Sequence, residues 1–265
     1  YDVFFGTDYH SHLGTKRGGL AFFDPEKGFQ RQIHNIENTP FRTKFESDLE
    51  KFSGCYGLGC ISDTDPQPLL VRSHLGLFAI STVGIITNAE ELVEKTFSGP
   101  GYQFMAMSSG SVNATELTAA LINRCDNLID GIRYAQAAIE GSCTILILNR
   151  EGLIAARDSM GRLPIVIGRG ERGCCAAMES FACQKLGYKP CYNLGPGEIV
   201  RITPDGYRQL SAPGEKMRIC AFLWSYYGYP NSNYEGVNVE VMRNRNGEIM
   251  ARNEMETGTM PDVDY

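Results

Sequence analysis

Thr144-Ile145-Leu146-Ile147-Leu148 is an unbroken apolar run with the length of one strand buried on both faces. Asn149-Arg150-Glu151-Gly152 punctuates it as a turn, and residues 153–158 follow as a second strand. A loop at 159–164 leads to a third strand at 165–168, and residues 179–183 begin a short helix. Pro196-Gly197-Glu198 then turns the chain into another strand through 199–201. Strands this close together, in hairpin order, predict the inner sheet of an antiparallel sandwich.

Upstream, Val3, Phe4, Phe5, Tyr9 and Leu13 make a helical stripe, which predicts a helix over 1–13 closed by Gly14. Gly6 weakens it by up to about 1 kcal/mol. Residues 20–23 read as a strand and 24–28 as a turn, and the spacing of Phe41, Phe45, Leu49 and Phe52 predicts a helix. A glycine-rich loop (Gly54, Gly57, Gly59), a turn at 63–66 and strands near 69–71 and 77–81 follow. Residues 88–97 read as a helix with Asn88 as N-cap and Glu90-Glu91 in its first turn, and 112–139 as two helices joined near Gly131. Beyond Ile202 the pattern gives a hairpin at 204–206, a linker at 211–216, a loop-rich stretch after Gly228 and a helix over 237–252.

Composition narrows the class. The 265 residues are enough for one large domain or two small ones, and 43% hydrophobic with 21% charged residues is ordinary for a globular protein. A net charge of −6 gives no reason to expect nucleic acid or an anionic membrane as partner. No apolar run approaches the roughly 20 residues that span a bilayer, and the first residues do not read as a signal peptide. The nine cysteines show no paired CxxC spacing, which argues against zinc. Their odd number suggests reduced, mostly buried thiols in a cytosolic setting. His10 and His12 are the closest of the four histidines. On an α-helix they point about 200° apart, so packing or exposure is favoured over a shared ligand site.

The order of pieces carries a resemblance. "GLIAARDSMGRLPIVIG", "AMESFACQKLG" and "NLGPGEIVRI" resemble the second half of the glutaminase domain of the amidophosphoribosyltransferases, class II glutamine amidotransferases with an N-terminal-nucleophile (Ntn) hydrolase fold. Residues 219–222, Tyr226-Tyr227, Pro230-Asn231-Ser232 and 236–239 resemble that family's crossing into its phosphoribosyltransferase domain. Phe4-Phe5-Gly6 and Lys16-Arg17-Gly18-Gly19 resemble the two ends of its helix "YYGLxxLQHRGQ". The resemblance implies an α+β fold, a four-layer αββα sandwich of two mostly antiparallel sheets. It implies an amidotransferase domain over 1–212, with its first strand before Tyr1, and a connecting segment over 213–265. The family activity it implies is release of ammonia from glutamine for transfer to phosphoribosyl pyrophosphate in purine biosynthesis. It further implies no cofactor in this lobe, magnesium and in some members an iron–sulfur cluster in the whole protein, a C-terminal phosphoribosyltransferase partner, a homo-oligomer and a cytoplasmic location.

Such an enzyme attacks glutamine through the thiol of an N-terminal cysteine, with the α-amine as base. Tyr1 cannot serve, so the nucleophile lies upstream or the branch lacks one. The family's "GHVRYST" falls on 57–63, which puts Cys60 in the slot of the arginine that grips the substrate carboxylate, with Ser62 beside it. A thiol has no fixed charge and no fork of donors. "HNGNLTN" falls on 82–88, where Gly84, Thr87 and Asn88 match but Val83 replaces the asparagine that donates to the oxyanion. "TSDSE" falls on 108–112, with Ser109 in place and Gly110 replacing the aspartate that binds the α-amine. Arg17 completes the pocket positions implied by resemblance. Glu116 stands one turn beyond Val112 as a substitute carboxylate or as part of a solvated helix face. Cys220 matches an iron–sulfur ligand of some members, or is a core residue beside Phe222. Arg162 is displaced by one place from the family's arginine, and Tyr229 and Asn231 replace an arginine and an aspartate around Pro230. The replaced pocket positions imply weakened or lost glutaminase activity, and two readings stand: an active glutaminase whose cysteine lies before Tyr1, or a non-catalytic structural or regulatory lobe supporting a phosphoribosyltransferase domain or a subunit interface. An Ntn hydrolase acting on a different amide is a third.

Overall fold

The structure, a computed structural model, describes residues 1–97, 107–108 and 111–259. The chain opens with α1 (Asp2–Tyr9), a 3-10 turn (His10–Leu13), β1 (Arg17–Asp24), β2 (Gly28–Asn35), α2 (Phe41–Phe45) and a 3-10 extension (Glu46–Lys51). It continues through β3 (Tyr56–Ser62), β4 (Leu69–Ser73), β5 (Gly76–Ile86), α3 (Ala89–Phe97), β6 (Met107–Ser108), β7 (Ser111–Val112), α4 (Ala114–Ile122) and α5 (Leu128–Ala138). The apolar run forms β8 (Gly141–Asn149), followed by β9 (Gly152–Ala156), β10 (Val166–Gly170), β11 (Gly173–Ala177), α6 (Ser180–Lys185), β12 (Lys189–Asn193), β13 (Ile199–Thr203) and β14 (Gly206–Ser211). Last come a π-turn (Leu223–Tyr227), β15 (Asn233–Tyr234), β16 (Val237–Asn238) and α7 (Val239–Thr257).

Burial sorts these elements into four layers. One six-stranded antiparallel sheet, in the order β14-β13-β9-β8-β5-β4, is apolar on both faces. Its outer face carries Phe78, Ile80, Ile145, Ile147 and Ile154, packed under Leu92 of α3, Leu117 and Leu121 of α4 and Ile132 of α5. Its inner face meets two three-stranded sheets, β2-β1-β3 through Ala21, Leu58, Ala79 and Leu148, and β11-β10-β12 through Ala155, Ile167, Val200 and Ile202. Phe4 of α1 with Phe41 and Phe45 of α2 cover the far side of the first, and Cys183 of α6 the far side of the second. This is the expected αββα sandwich.

The expected third strand of the inner sheet is β10, which belongs to the opposite layer. The loop before it folds around Asp158, whose carboxylate accepts from the backbone N–H groups of Met160, Arg162 and Leu163 at 3.1, 3.1 and 3.2 Å, turning the chain across the sandwich. Gly57 and Gly59, read as loop, lie within strand β3. A Cβ on Gly59 would stand 1.8 Å from the Thr7 hydroxyl oxygen, so the glycines let α1 lie flat across the strand. The junction of α4 and α5 lies before Gly131: Asn127 caps α5 by accepting from the Asp130 N–H at 2.9 Å. The Asn88 side chain, expected to cap α3, instead bridges to the Ala138 carbonyl at 3.0 Å and the Glu140 N–H at 2.9 Å. The thiols are free, but only Cys60, Cys143 and Cys183 are buried, because others sit on the small edge sheet and in turns.

Candidate functional site

Strand alternation places most of the expected pocket residues together. Ala21, Leu58 and Ala79 face the space between the sheets, so Arg17 of β1, Cys60 and Ser62 of β3, and Ser81, Val83 and Ile85 of β5 face it too. Arg17 and Ser62 are cross-strand partners. Cys60 has Ser81 as its polar neighbour, and Ser62 and Val83 extend the same series toward the open end, where Ile85 is 73% exposed. Thr144 pairs with Val83 across β8, and its buried hydroxyl has no hydrogen-bond partner among the described residues. Gly84 faces the other way. Its φ of 149° and a Cβ position 2.1 Å from the Ser142 carbonyl oxygen admit only glycine, so its match to the family is a backbone requirement. Ser109 and Gly110 lie outside the described residues.

Behind this mouth the interior is closed by a polar network. The Gln67 side-chain Oε1 accepts from the Ser81 hydroxyl (3.0 Å), the Thr82 N–H (2.8 Å) and the Thr115 hydroxyl (3.1 Å). Its amide donates to the Thr82 carbonyl at 3.0 Å. Cys60 lies against this network, and burial pushes its thiol up to about 12, so it is neutral. The cation that β1 and β3 place on this face is Arg17, half-buried and without an ion pair among the described residues. The arrangement offers hydroxyls, an apolar valine and a guanidinium at the rim, and a buried, neutral thiol behind them.

A second cluster was not anticipated. Glu179, the residue before α6, is 1% exposed, and its Oε2 accepts from the Tyr9 hydroxyl (2.7 Å) and the Ser232 hydroxyl (2.8 Å). His12 Nε2 lies 3.0 Å from Glu179 Oε1, and Nδ1 lies 2.7 Å from the Tyr9 carbonyl. With its carboxyl ionised, neither neighbour has a proton to give, so both ring nitrogens carry one and His12 is an imidazolium. Burial opposes the charge on Glu179, but the bonds from His12, Tyr9 and Ser232 outweigh it and hold the carboxyl at about 2. Burial likewise opposes the His12 charge, and Glu179 overcomes it, leaving the ring above its ordinary value. His10, pushed down chiefly by burial, stays neutral and bonds the Gly6 carbonyl at 2.7 Å.

The His10 and His12 rings stack with centroids 6.5 Å apart, not on opposite sides, because the chain tightens from α-helix to 3-10 turn at His10. No group of three or more potential metal ligands occurs among the described residues. Tyr229 packs on His12 at 4.3 Å between ring centroids, and half-buried Cys220 packs against the cluster of Leu223, Trp224, Tyr234 and Val239. A signal for the cluster was present in "AMESFAC", an acid inside an otherwise apolar stretch.

The architecture is that of the Ntn hydrolases. In sequence the chain is 26% identical over 277 residues to the amidophosphoribosyltransferase of Methanocaldococcus jannaschii, covering 94% of this chain and 57% of that one. It is 26% identical over 262 residues to the amidophosphoribosyltransferase of Bacillus subtilis, covering 94% and 53%. The solved "allosteric regulatory enzyme of purine biosynthesis" superposes with a TM-score of 0.83 at 24% identity over 95% of this chain and 55% of its own. The glutamine phosphoribosylpyrophosphate amidotransferase from B. subtilis, in complex with ADP and GMP, gives 0.75 at 25% identity over 88% and 52%. No protein-family model matches the sequence. These similarities are all to amidophosphoribosyltransferases, and the chain spans about half the length of the curated relatives it matches. No helix among the described residues is long and apolar enough to cross a membrane.

Proposed function

We propose that this chain is the glutaminase-like lobe of an amidophosphoribosyltransferase-related protein of purine biosynthesis, in which glutamine hydrolysis is weakened or lost. The lobe then serves as a scaffold for a phosphoribosyltransferase domain, with residues 213–265 as the connecting segment. One observation carries this reading: Cys60 is a buried, neutral thiol sealed under Ser81 where the family pattern calls for a guanidinium. A bound glutamine would set its α-carboxylate against uncharged groups there, and Val83 would offer methyls to a developing oxyanion. Losing one oxyanion donor alone typically slows such a reaction by about 100- to 1000-fold.

The scaffold role is supported by the C-terminal segment, which presents Phe222, Tyr226 and Tyr227 at 62%, 76% and 47% exposure, an apolar surface suited to a packed neighbour. Nine free thiols support a reducing, cytoplasmic setting. The test is glutamate release from glutamine by the full-length protein, alongside calorimetric titration with glutamine. No release above background and no binding heat are expected. Turnover at a rate typical of an enzyme, or saturable glutamine binding, overturns the reading.

A further inference from the structure

Four of the nine thiols gather on the β11-β10-β12 sheet and its helix: Cys174 and Cys175 on β11, Cys183 on α6 and Cys191 on β12. Cys174 faces the sheet interface, whereas Cys175 turns outward beneath α6, away from the face that carries Cys60 and Val83. The Cys175 and Cys183 sulfurs lie 3.6 Å apart, in hydrogen-bonding contact. The hollow they share exists because Cys175 pairs across the sheet with Gly168. A Cβ on that glycine would stand 2.9 Å from Cys183 Cβ and 3.0 Å from both sulfurs. Cys183 is fully enclosed, and Cys175 is half-buried with a path to solvent.

We infer that Cys175 and Cys183 form a reversible oxidation site whose reactant is a hydroperoxide. The Cys175 thiolate attacks the peroxide oxygen, the O–O bond breaks, and the departing alkoxide or hydroxide takes up a proton. Cys175 is then a sulfenic acid. The Cys183 sulfur attacks the Cys175 sulfur, the S–S bond forms as the S–O bond breaks, and hydroxide leaves with the Cys183 proton as water. Two thiols give up two electrons, and the hydroperoxide becomes one alcohol (or water) and one water. The roles follow from position, since the attacking thiol must meet the oxidant and the resolving thiol needs only its partner. They agree with electrostatics: the hydrogen bond between the sulfurs draws Cys175 down and pushes Cys183 up, where burial adds to it. The bond would tie β11 to α6 directly after Glu179, and it is independent of any glutamine chemistry.

The reduced full-length protein, freed of reductant and treated with hydrogen peroxide, is digested without reduction and read by mass spectrometry, with free thiols alkylated beforehand. The expected product is a linked peptide pair containing Cys175 and Cys183, 2 Da lighter than the two thiol peptides, with both residues lost to alkylation in parallel and restored by dithiothreitol. In Cys183→Ser the linked pair is lost and Cys175 is trapped as a sulfenic acid by dimedone. Cys183 remaining alkylatable when the treated wild-type protein is unfolded in denaturant, or Cys175 linked instead to Cys174 or Cys191, overturns the inference. The wild-type measurement decides even where the variant does not fold.

Discussion

Glu179 accepts three hydrogen bonds while 1% exposed, and its charge is matched by the His12 imidazolium, whose ring is 19% exposed. Replacing the acid by glutamine leaves His12 without its anion and forces one donor to lose its partner. For Glu179→Gln we expect a loss of about 3 kcal/mol, read as a lower urea midpoint, because removing one member of a buried pair leaves the other uncompensated. The pH dependence follows from the two displaced groups. Glu179 is held at about 2 against an ordinary 4.5, so its contribution is present above pH 4.5 and lost as pH falls toward 2. His12 is raised above 6.5, so its contribution is complete below pH 6.5 and lost as pH climbs through the raised value. The stability difference between wild type and His12→Gln is therefore expected to be largest between pH 4.5 and 6.5 and to shrink on both sides. A difference that stays flat from pH 5 to 9 would remove the imidazolium from the account. The lone acid of "AMESFAC" is the one local sign of this cluster; its partners Tyr9, His12 and Ser232 come from distant parts of the chain and meet it only through the fold.

At the level of elements, the apolar runs were sufficient to locate β8 and β9, because a strand buried on both faces leaves no polar positions to confuse its reading, and the Pro204-Asp205-Gly206 turn located the β13–β14 hairpin. β2 (GFQRQIHN) is polar or half-buried at nearly every position and carries no such signature. β3 was hidden for a different reason. Glycine signals a break in the chain, yet here Gly57 and Gly59 are required by a helix lying against the strand, a tertiary cause that local pattern cannot carry. The contact gives a test. Gly59→Ala places a methyl where the Thr7 hydroxyl sits, and the clash is expected to cost about 1 to 3 kcal/mol. Thr7→Ala removes that oxygen, so the double variant should recover part of the loss. Thermal midpoints of the four proteins measure the coupling, and simple additivity would mean that α1 does not press on β3 at this point.

Across the whole molecule, the positions that the resemblance singles out, Arg17, Cys60, Ser62 and Val83, fall on one face although the sandwich is assembled from distant strands. What it did not reveal is how firmly the C-terminal segment is sewn to the sandwich. Arg157 is fully buried and donates to the Leu194 carbonyl, to the Gly161 carbonyl at 2.7 Å and to Glu235 Oε1 at 2.7 Å. Glu235 belongs to the turn between β15 and β16, so this one guanidinium joins the end of β9, two loops of the lobe and the segment that follows it. The carboxylate is the partner whose loss separates those regions, because the two carbonyls remain within the lobe. Glu235→Ala leaves Arg157 bonded but with its charge unmatched, and the cheapest response is local: residues 228–239 detach more often while the six-stranded sheet stays closed. Native-state hydrogen exchange should then show the amides of Ser232 and Val239 opening about tenfold more often, with those of β8 unchanged. If β8 speeds up equally, the segment and the sandwich unfold as one unit, and the lobe and its connecting segment are a single cooperative body.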